Sequence, residues 1–217
     1  MRKSANQSEF IIDGPAGNLQ ALLESPPDSE ATAVAVVCHP HPVHGGTMTN
    51  KVAHTLARSF VGVGISALRF NFRGVGQSAG SFDDGNGEVA DVLAAVAWLR
   101  EEAPDLPLWL AGFSFGAAMA IRAATQCSPD GLISVAPAVS RFAGNRDRQP
   151  DCPWLIVQGD QDELVDVAET IAWVNALEPG PELEVFADTE HFFHGKLLLL
   201  RNAVEDFVKT HSRPANS

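Results

Sequence analysis

Basic charge is scarce in this chain: 15 Lys and Arg stand against 27 Asp and Glu, a formal net charge of −12 over 217 residues. With no basic stripe to neutralise a phosphate backbone, nucleic acid is excluded as a partner. Cysteine is scarce as well. Cys38, Cys127 and Cys152 are odd in number, widely spaced and without a C-x-x-C, so they read as reduced thiols rather than a zinc site. Long apolar runs are missing. Stretches such as Leu197 to Leu200 are far too short to cross a bilayer, which argues against a membrane partner. After the basic residues of MRKSANQSEF no apolar segment follows, so no secretory signal is expected, and the expected location is cytoplasmic. Repeats and low-complexity segments are also lacking.

What is present is a globular balance, 45% hydrophobic and 19% charged, enough for one domain over residues 1–217 with a full-sized core. SEFIIDGPAGNLQALLESPP reads as two strands joined by a turn at Gly14 to Gly17. TAVAVVCHP is a continuous β-branched run of the kind buried on both faces. Beyond it, strands alternate with helices. A helix carries Val52, Leu56, Ser59, Phe60 and Val63, and ISALRFNF is the next strand. Val89, Val92, Leu93, Val96 and Leu99 mark an amphipathic helix that the acidic pair Asp83 and Asp84 is expected to open. Strands GLISVAPAV and PWLIVQGD lead to a helix begun by Asp166, with Glu169 completing a capping box. ELEVFAD is the last strand, followed by a helix with Leu197, Leu200, Val204, Phe207 and Val208 facing inward. This order specifies an α/β fold with a mainly parallel, doubly wound sheet, whose functional groups gather at the carboxyl ends of the strands.

LWLAGFSFGAAMAIRAA, Leu108 to Ala124, places one hydroxyl at a strand-to-helix junction. Gly112-Phe113-Ser114-Phe115-Gly116 matches G-x-S-x-G in the context that motif requires. A turn that lifts Ser114 clear of the sheet crowds the positions two before and two after it, which explains the glycines. A serine hydroxyl needs a base, and the base an orienting acid. Past WLIVQ come Asp160, Asp162 and Glu163, and past LEVFAD come His191 and His194. Asp162 and His191 are the expected partners of Ser114. Asp160 is the alternative acid, or it fixes the turn through its own backbone. His194 reads as an idle residue near the last helix.

An oxyanion needs N–H donors. Phe115 N–H at the helix start is one, and the loop CHPHPVHGGTMTN must give the other. Pro40 and Pro42 have no N–H, which leaves His39, His41 and Val43, with His41 best placed. His39, His41 and His44 are not read as metal ligands, since alternation with proline gives no face that gathers them. His39, Phe142 and Phe192 are expected around a substrate pocket, with His39 also supporting its loop through side-chain hydrogen bonds.

With these residues in view, the chain resembles the α/β-hydrolase family. Within it, the likeness is to the small, lidless dienelactone-hydrolase-like branch, through HPHPVHGGTMTNKV, RFNFRGVGQSAG, GFSFG, GDQDELV and HFFHGK. The resemblance spans nearly the whole chain. It implies an eight-stranded or nearly eight-stranded sheet with antiparallel N-terminal strands and no cap domain. It also implies Ser114 as nucleophile, Asp162 as orienting acid, His191 as base and an oxyanion hole from His41 and Phe115. No cofactor and no metal are expected. Dienelactone hydrolases carry cysteine where Ser114 stands here, so their substrate is not implied. Arg73 in the RFNFRGVGQSAG segment is either a substrate contact or a structural ion pair.

The expected activity is a serine carboxylesterase acting on a small-molecule ester. A thioesterase or peptidase with the same triad is the alternative, and a catalytically silent interaction protein the rival class. Lipase-like relatives insert a lid where this chain has only Ser140 to Cys152, polar and partly basic, with Gly144-Asn145 favouring mobility. An open pocket walled by phenylalanines, Phe113 being a core residue, is expected to favour short acyl chains.

Overall fold

The computed structural model describes residues 5–142 and 149–212. Its strands are β1 (Asn6–Ile12), β2 (Leu19–Ser25), β3 (Val34–Cys38), β4 (Ser66–Phe70), β5 (Leu108–Phe113), β6 (Gly131–Val135), β7 (Trp154–Gly159) and β8 (Glu182–Phe186). They form one eight-stranded sheet in the order β1-β2-β4-β3-β5-β6-β7-β8. β1 pairs antiparallel with β2, and β2 antiparallel with β4, while every later pairing is parallel. The expected α/β class and the antiparallel N-terminal strands are thus present.

The strand sequences explain why both faces are covered. Along β3, Val34, Val36 and Cys38 point into one core, and Ala35 and Val37 into the other. β5 divides in the same way, Leu108 and Leu110 against Trp109, Ala111 and Phe113. Period-2 alternation of apolar residues on both faces needs a helical layer on each side. Helices α2 (Asn86–Glu102), α3 (Phe115–Cys127) and α5 (Val167–Asn175) supply one layer, and α1 (Lys51–Gly62) and α6 (Leu197–His211) the other.

One helix start differs from expectation and one agrees with it. α2 opens at Asn86 behind Gly85, which has φ 86°, and its start is held by Glu88. The Glu88 carboxylate accepts from Gly85 N–H at 2.8 Å and Asp83 N–H at 2.9 Å, so Asp83 and Asp84 lie in the turn before the helix. At α5, Asp166 accepts from Glu169 N–H at 2.9 Å, which is the Asp166 half of the expected capping box. Arg73 is structural. Its guanidinium grips Asp91 on α2 through two hydrogen bonds of 3.0 and 2.8 Å, and its own N–H donates to the same carboxylate.

The connection from β6 to β7 adds a short helix, α4 (Val139–Phe142), that the sequence pattern did not suggest. The expectation of mobility at Gly144-Asn145 lies outside the described residues. Among the described residues, no helix is long and apolar enough to cross a membrane.

Candidate active site

The site is built on the turn between β5 and α3. Ser114 sits there with φ 57° and ψ −117°, a conformation that costs a residue with a Cβ about 1–3 kcal/mol. The cost is borne because the neighbours leave no alternative path. A Cβ on Gly112 would lie 2.3 Å from Gly116 O, and one on Gly116 would lie 2.3 Å from His39 O. The turn is pinned by Ser114 N–H donating to Val135 O at 2.8 Å, and Ser114 O accepts from Ala118 N–H inside α3. The hydroxyl therefore stands at the head of a helix whose N-terminal partial positive charge faces it.

His191 reaches Ser114 from the loop after β8. Its Nε2 lies 3.1 Å from Ser114 Oγ, and its Nδ1 lies 2.8 Å from Asp162 Oδ2. Several contacts fix that loop. Phe193 is fully buried and packs on Phe186, and Glu163 Oε2 accepts His191 N–H at 3.2 Å. Asp160 ties the β7 loop to the β8 loop by accepting from Thr189 N–H at 3.2 Å. The structure thus gives the alternative acid a backbone-bracing position and brings Asp162 to the imidazole. Phe113 lies beneath the base, its ring 4.9 Å from that of His191, and is fully buried.

The Asp162 side chain has no solvent exposure, and burial works against its charge. Hydrogen bonds from His191, Val165 and Leu164 outweigh burial and hold the carboxyl below its ordinary range. Oδ1 receives Leu164 N–H at 2.9 Å and Val165 N–H at 2.8 Å, and Oδ2 receives Gln158 Nε2 at 2.9 Å besides His191. Gln158 was missed in the sequence. The available signal was a single amide ending the apolar strand Trp-Leu-Ile-Val.

On the other side of the hydroxyl, the loop after β3 enters a short 3₁₀ turn, Pro42–His44, capped by His41, whose Nδ1 accepts Val43 N–H at 3.2 Å. Its far end is moored where Met48 N–H donates to Asn71 Oδ1 at 2.8 Å. Among the described residues, neither His41 N–H nor Phe115 N–H has a protein acceptor. The His41 ring packs 4.9 Å from both Phe82 and Phe115 and 5.7 Å from Phe142. Burial, followed by the charges of His44 and Arg141, lowers its pKa against the opposing pull of Asp84.

The expectation that His39 borders the pocket is corrected. Its ring turns into the protein, 0% exposed, donating from Nδ1 to Pro40 O and accepting Phe72 N–H on Nε2 at 3.0 Å. Both nitrogens are committed to backbone, which also removes His39 from any ligand set with His41 and His44. Burial depresses its pKa to about 4, the bond to Pro40 opposing. His194 pairs with Glu190 on the surface.

A cleft of about 700 Å³ opens over Ser114 and His191, walled by Phe115, Phe142, Phe192, Leu164, Arg141 and Glu163. Phe142 and Phe192 thus stand where the sequence suggested. A second depression of about 440 Å³ lies at the opposite ends of the strands, between Thr32, Pro107, Ser128 and Cys152. The thiol there is pushed up to about 12 by burial and by Asp151, which keeps it protonated.

Comparison with known proteins agrees with this geometry. Residues 32–143 match the family model described as serine aminopeptidase, S33. A lidless α/β serine hydrolase from Xanthomonas campestris is 44% identical, with a TM-score of 0.91 over 96% of this chain and 97% of that one. An α/β serine hydrolase homologue from Coxiella burnetii, also 44% identical, superposes with a TM-score of 0.87 over 92% and 96% of the two chains. An uncharacterised protein of Rickettsia prowazekii is 31% identical over 212 residues, 93% of this chain and 89% of its own. Taken with the eight-stranded sheet and the Ser114 turn, these matches place the chain in the serine aminopeptidase S33 family of the α/β-hydrolase superfamily.

Proposed function

We propose that this protein is a serine carboxylesterase that cleaves small, short-acyl esters through an acyl-enzyme. The observation that carries the reading is the continuous chain Ser114 Oγ to His191 Nε2, 3.1 Å, and His191 Nδ1 to Asp162 Oδ2, 2.8 Å. Neutral His191 takes the Ser114 proton as Oγ attacks the ester carbonyl. The carbonyl oxygen becomes an oxyanion held by Phe115 N–H and His41 N–H. Collapse breaks the bond to the alcohol, which leaves with the proton from His191. Water, deprotonated by His191, then attacks the acyl carbon, and Ser114 recovers its proton as the acid departs. Asp162, ionised throughout, fixes the tautomer and steadies the imidazolium.

Short acyl chains follow from the walls. Leu164 is 63% exposed and Phe192 39%, so the cleft is open to water where a longer chain would run. Each buried methylene is worth about 0.8 kcal/mol, and carbons that stay wet add nothing. In a p-nitrophenyl ester series, kcat/KM should peak at roughly two to six acyl carbons on that argument. It should not jump above the substrate's critical micelle concentration. Activity that climbs through long chains contradicts the reading. The family description favours one second reading, an aminopeptidase, in which Glu163 in the cleft faces the substrate amine. Hydrolysis of aminoacyl p-nitroanilides in preference to p-nitrophenyl esters selects it.

A further inference from the structure

Next to last in β7 stands Gln158, the one amide in an otherwise apolar, fully buried strand, and its side chain is 0% exposed. A buried primary amide is costly unless both its ends are paired. One end is paired, Nε2 donating to Asp162 Oδ2 at 2.9 Å. The other is not: among the described residues, Oε1 has no hydrogen-bond partner. Turning the amide over would set Oε1 against the carboxylate, acceptor against acceptor. The strand therefore keeps a donor on Asp162 and leaves an acceptor orphaned, where Leu or Met would pack without that conflict. Oδ2 is also the oxygen that receives His191 Nδ1 at 2.8 Å, while Oδ1 is already held by two backbone amides.

We propose that Gln158 is a positioning residue for the general base, pinning Asp162 Oδ2 so that the imidazole meets an acceptor of fixed direction and moderated strength. This rests on the reading of Ser114, His191 and Asp162 as a catalytic triad. Without the amide, the carboxylate is anchored through Oδ1 alone, Oδ2 has more play relative to the imidazole plane, and the negative charge it shared with Gln158 falls on His191 Nδ1–H alone. The base then holds its proton more tightly and is aimed less well. Other charged and titratable groups near His191 are Glu163 on its backbone N–H, the Glu190–His194 pair on its own loop, and His41, His44 and Arg141 along the cleft. These are unchanged by substitution at Gln158.

The test is the rate of covalent labelling by a fluorophosphonate as a function of pH, together with thermal melting, for wild type, Gln158→Met and Gln158→Glu. Gln158→Met removes the donor and the orphaned acceptor with little change of volume. It should melt at or above the wild-type temperature, label about tenfold more slowly at neutral pH, and shift the acid-limb midpoint up by about half a unit or more. Gln158→Glu should move that midpoint further, because a second carboxylate beside Asp162 favours the imidazolium. It carries the test if Gln158→Met fails to fold. Variants that label with the wild-type midpoint, whether or not their melting temperature falls, overturn the proposal, since packing alone does not move it. A wild-type protein that resists labelling at Ser114 overturns the triad reading and this inference together.

Discussion

His39 after β3 and His191 after β8 stand in loops at the carboxyl ends of strands, 0% and 2% exposed, each with both ring nitrogens within hydrogen-bond reach of a partner. Their partners differ. His39 donates to a backbone carbonyl, and its acceptor nitrogen is filled by Phe72 N–H, a proton that cannot move. His191 donates to a carboxylate that stabilises a positive ring, and its acceptor nitrogen faces the Ser114 hydroxyl, whose proton can be transferred. Burial and place in the fold do not make a base; the chemistry at Nε2 and Nδ1 does.

That contrast can be broken most sharply by mutation. His191→Ala should lower kcat on the order of 10⁶-fold, the loss seen when the base leaves a serine-protease triad. His39→Ala should leave turnover per folded molecule within about tenfold while costing about 1–3 kcal/mol of stability, because Phe72 N–H loses its acceptor. Chemical denaturation beside steady-state kinetics separates the two effects. Comparable losses of turnover would dissolve the distinction.

The carboxylates sharpen the same point at smaller scale. Asp162→Asn should cost about 10⁴-fold in kcat with the fold intact, the amide imposing the wrong imidazole tautomer. Asp160→Asn changes a brace to Thr189 N–H and should cost far less. If the two effects exchange places, Asp160 is the acid.

The smallest effect lies in stability against pH. His39 has a folded pKa of about 4 against an ordinary value near 6.5, so between these limits the unfolded chain takes up a proton that the folded chain refuses. Stability is therefore full above about pH 6.5 and falls as pH drops towards 4, by about 3 kcal/mol at most. Asp162 acts over a lower range. Its depressed folded pKa adds stability above the ordinary carboxylate value, lost as pH falls through the folded one. Unfolding measured from pH 8 to 4 should show the first loss in wild type and a flatter profile in His39→Gln.

Much of this is legible in the sequence. The strands declared themselves as β-branched runs, and the Ser114 turn by glycines that the close approach of Gly116 O and His39 O makes obligatory. What was hidden depends on facing rather than on type. Nothing in His-Pro-His-Pro says that the first ring turns inward and the second packs on Phe115. The start of α2 is not marked by the acidic pair, because Glu88 reaches back across Gly85 and holds the turn in which that pair lies. Gln158 carries no motif, because a strand register alone brings it to Asp162.

The central claim is that Ser114 is a nucleophile activated by His191. It is tested most directly by reacting the purified protein with a fluorophosphonate and locating the adduct by peptide mass spectrometry. The account predicts one adduct, on Ser114, abolished in Ser114→Ala and strongly slowed in His191→Ala. An adduct on another residue, or labelling that persists in Ser114→Ala, contradicts it.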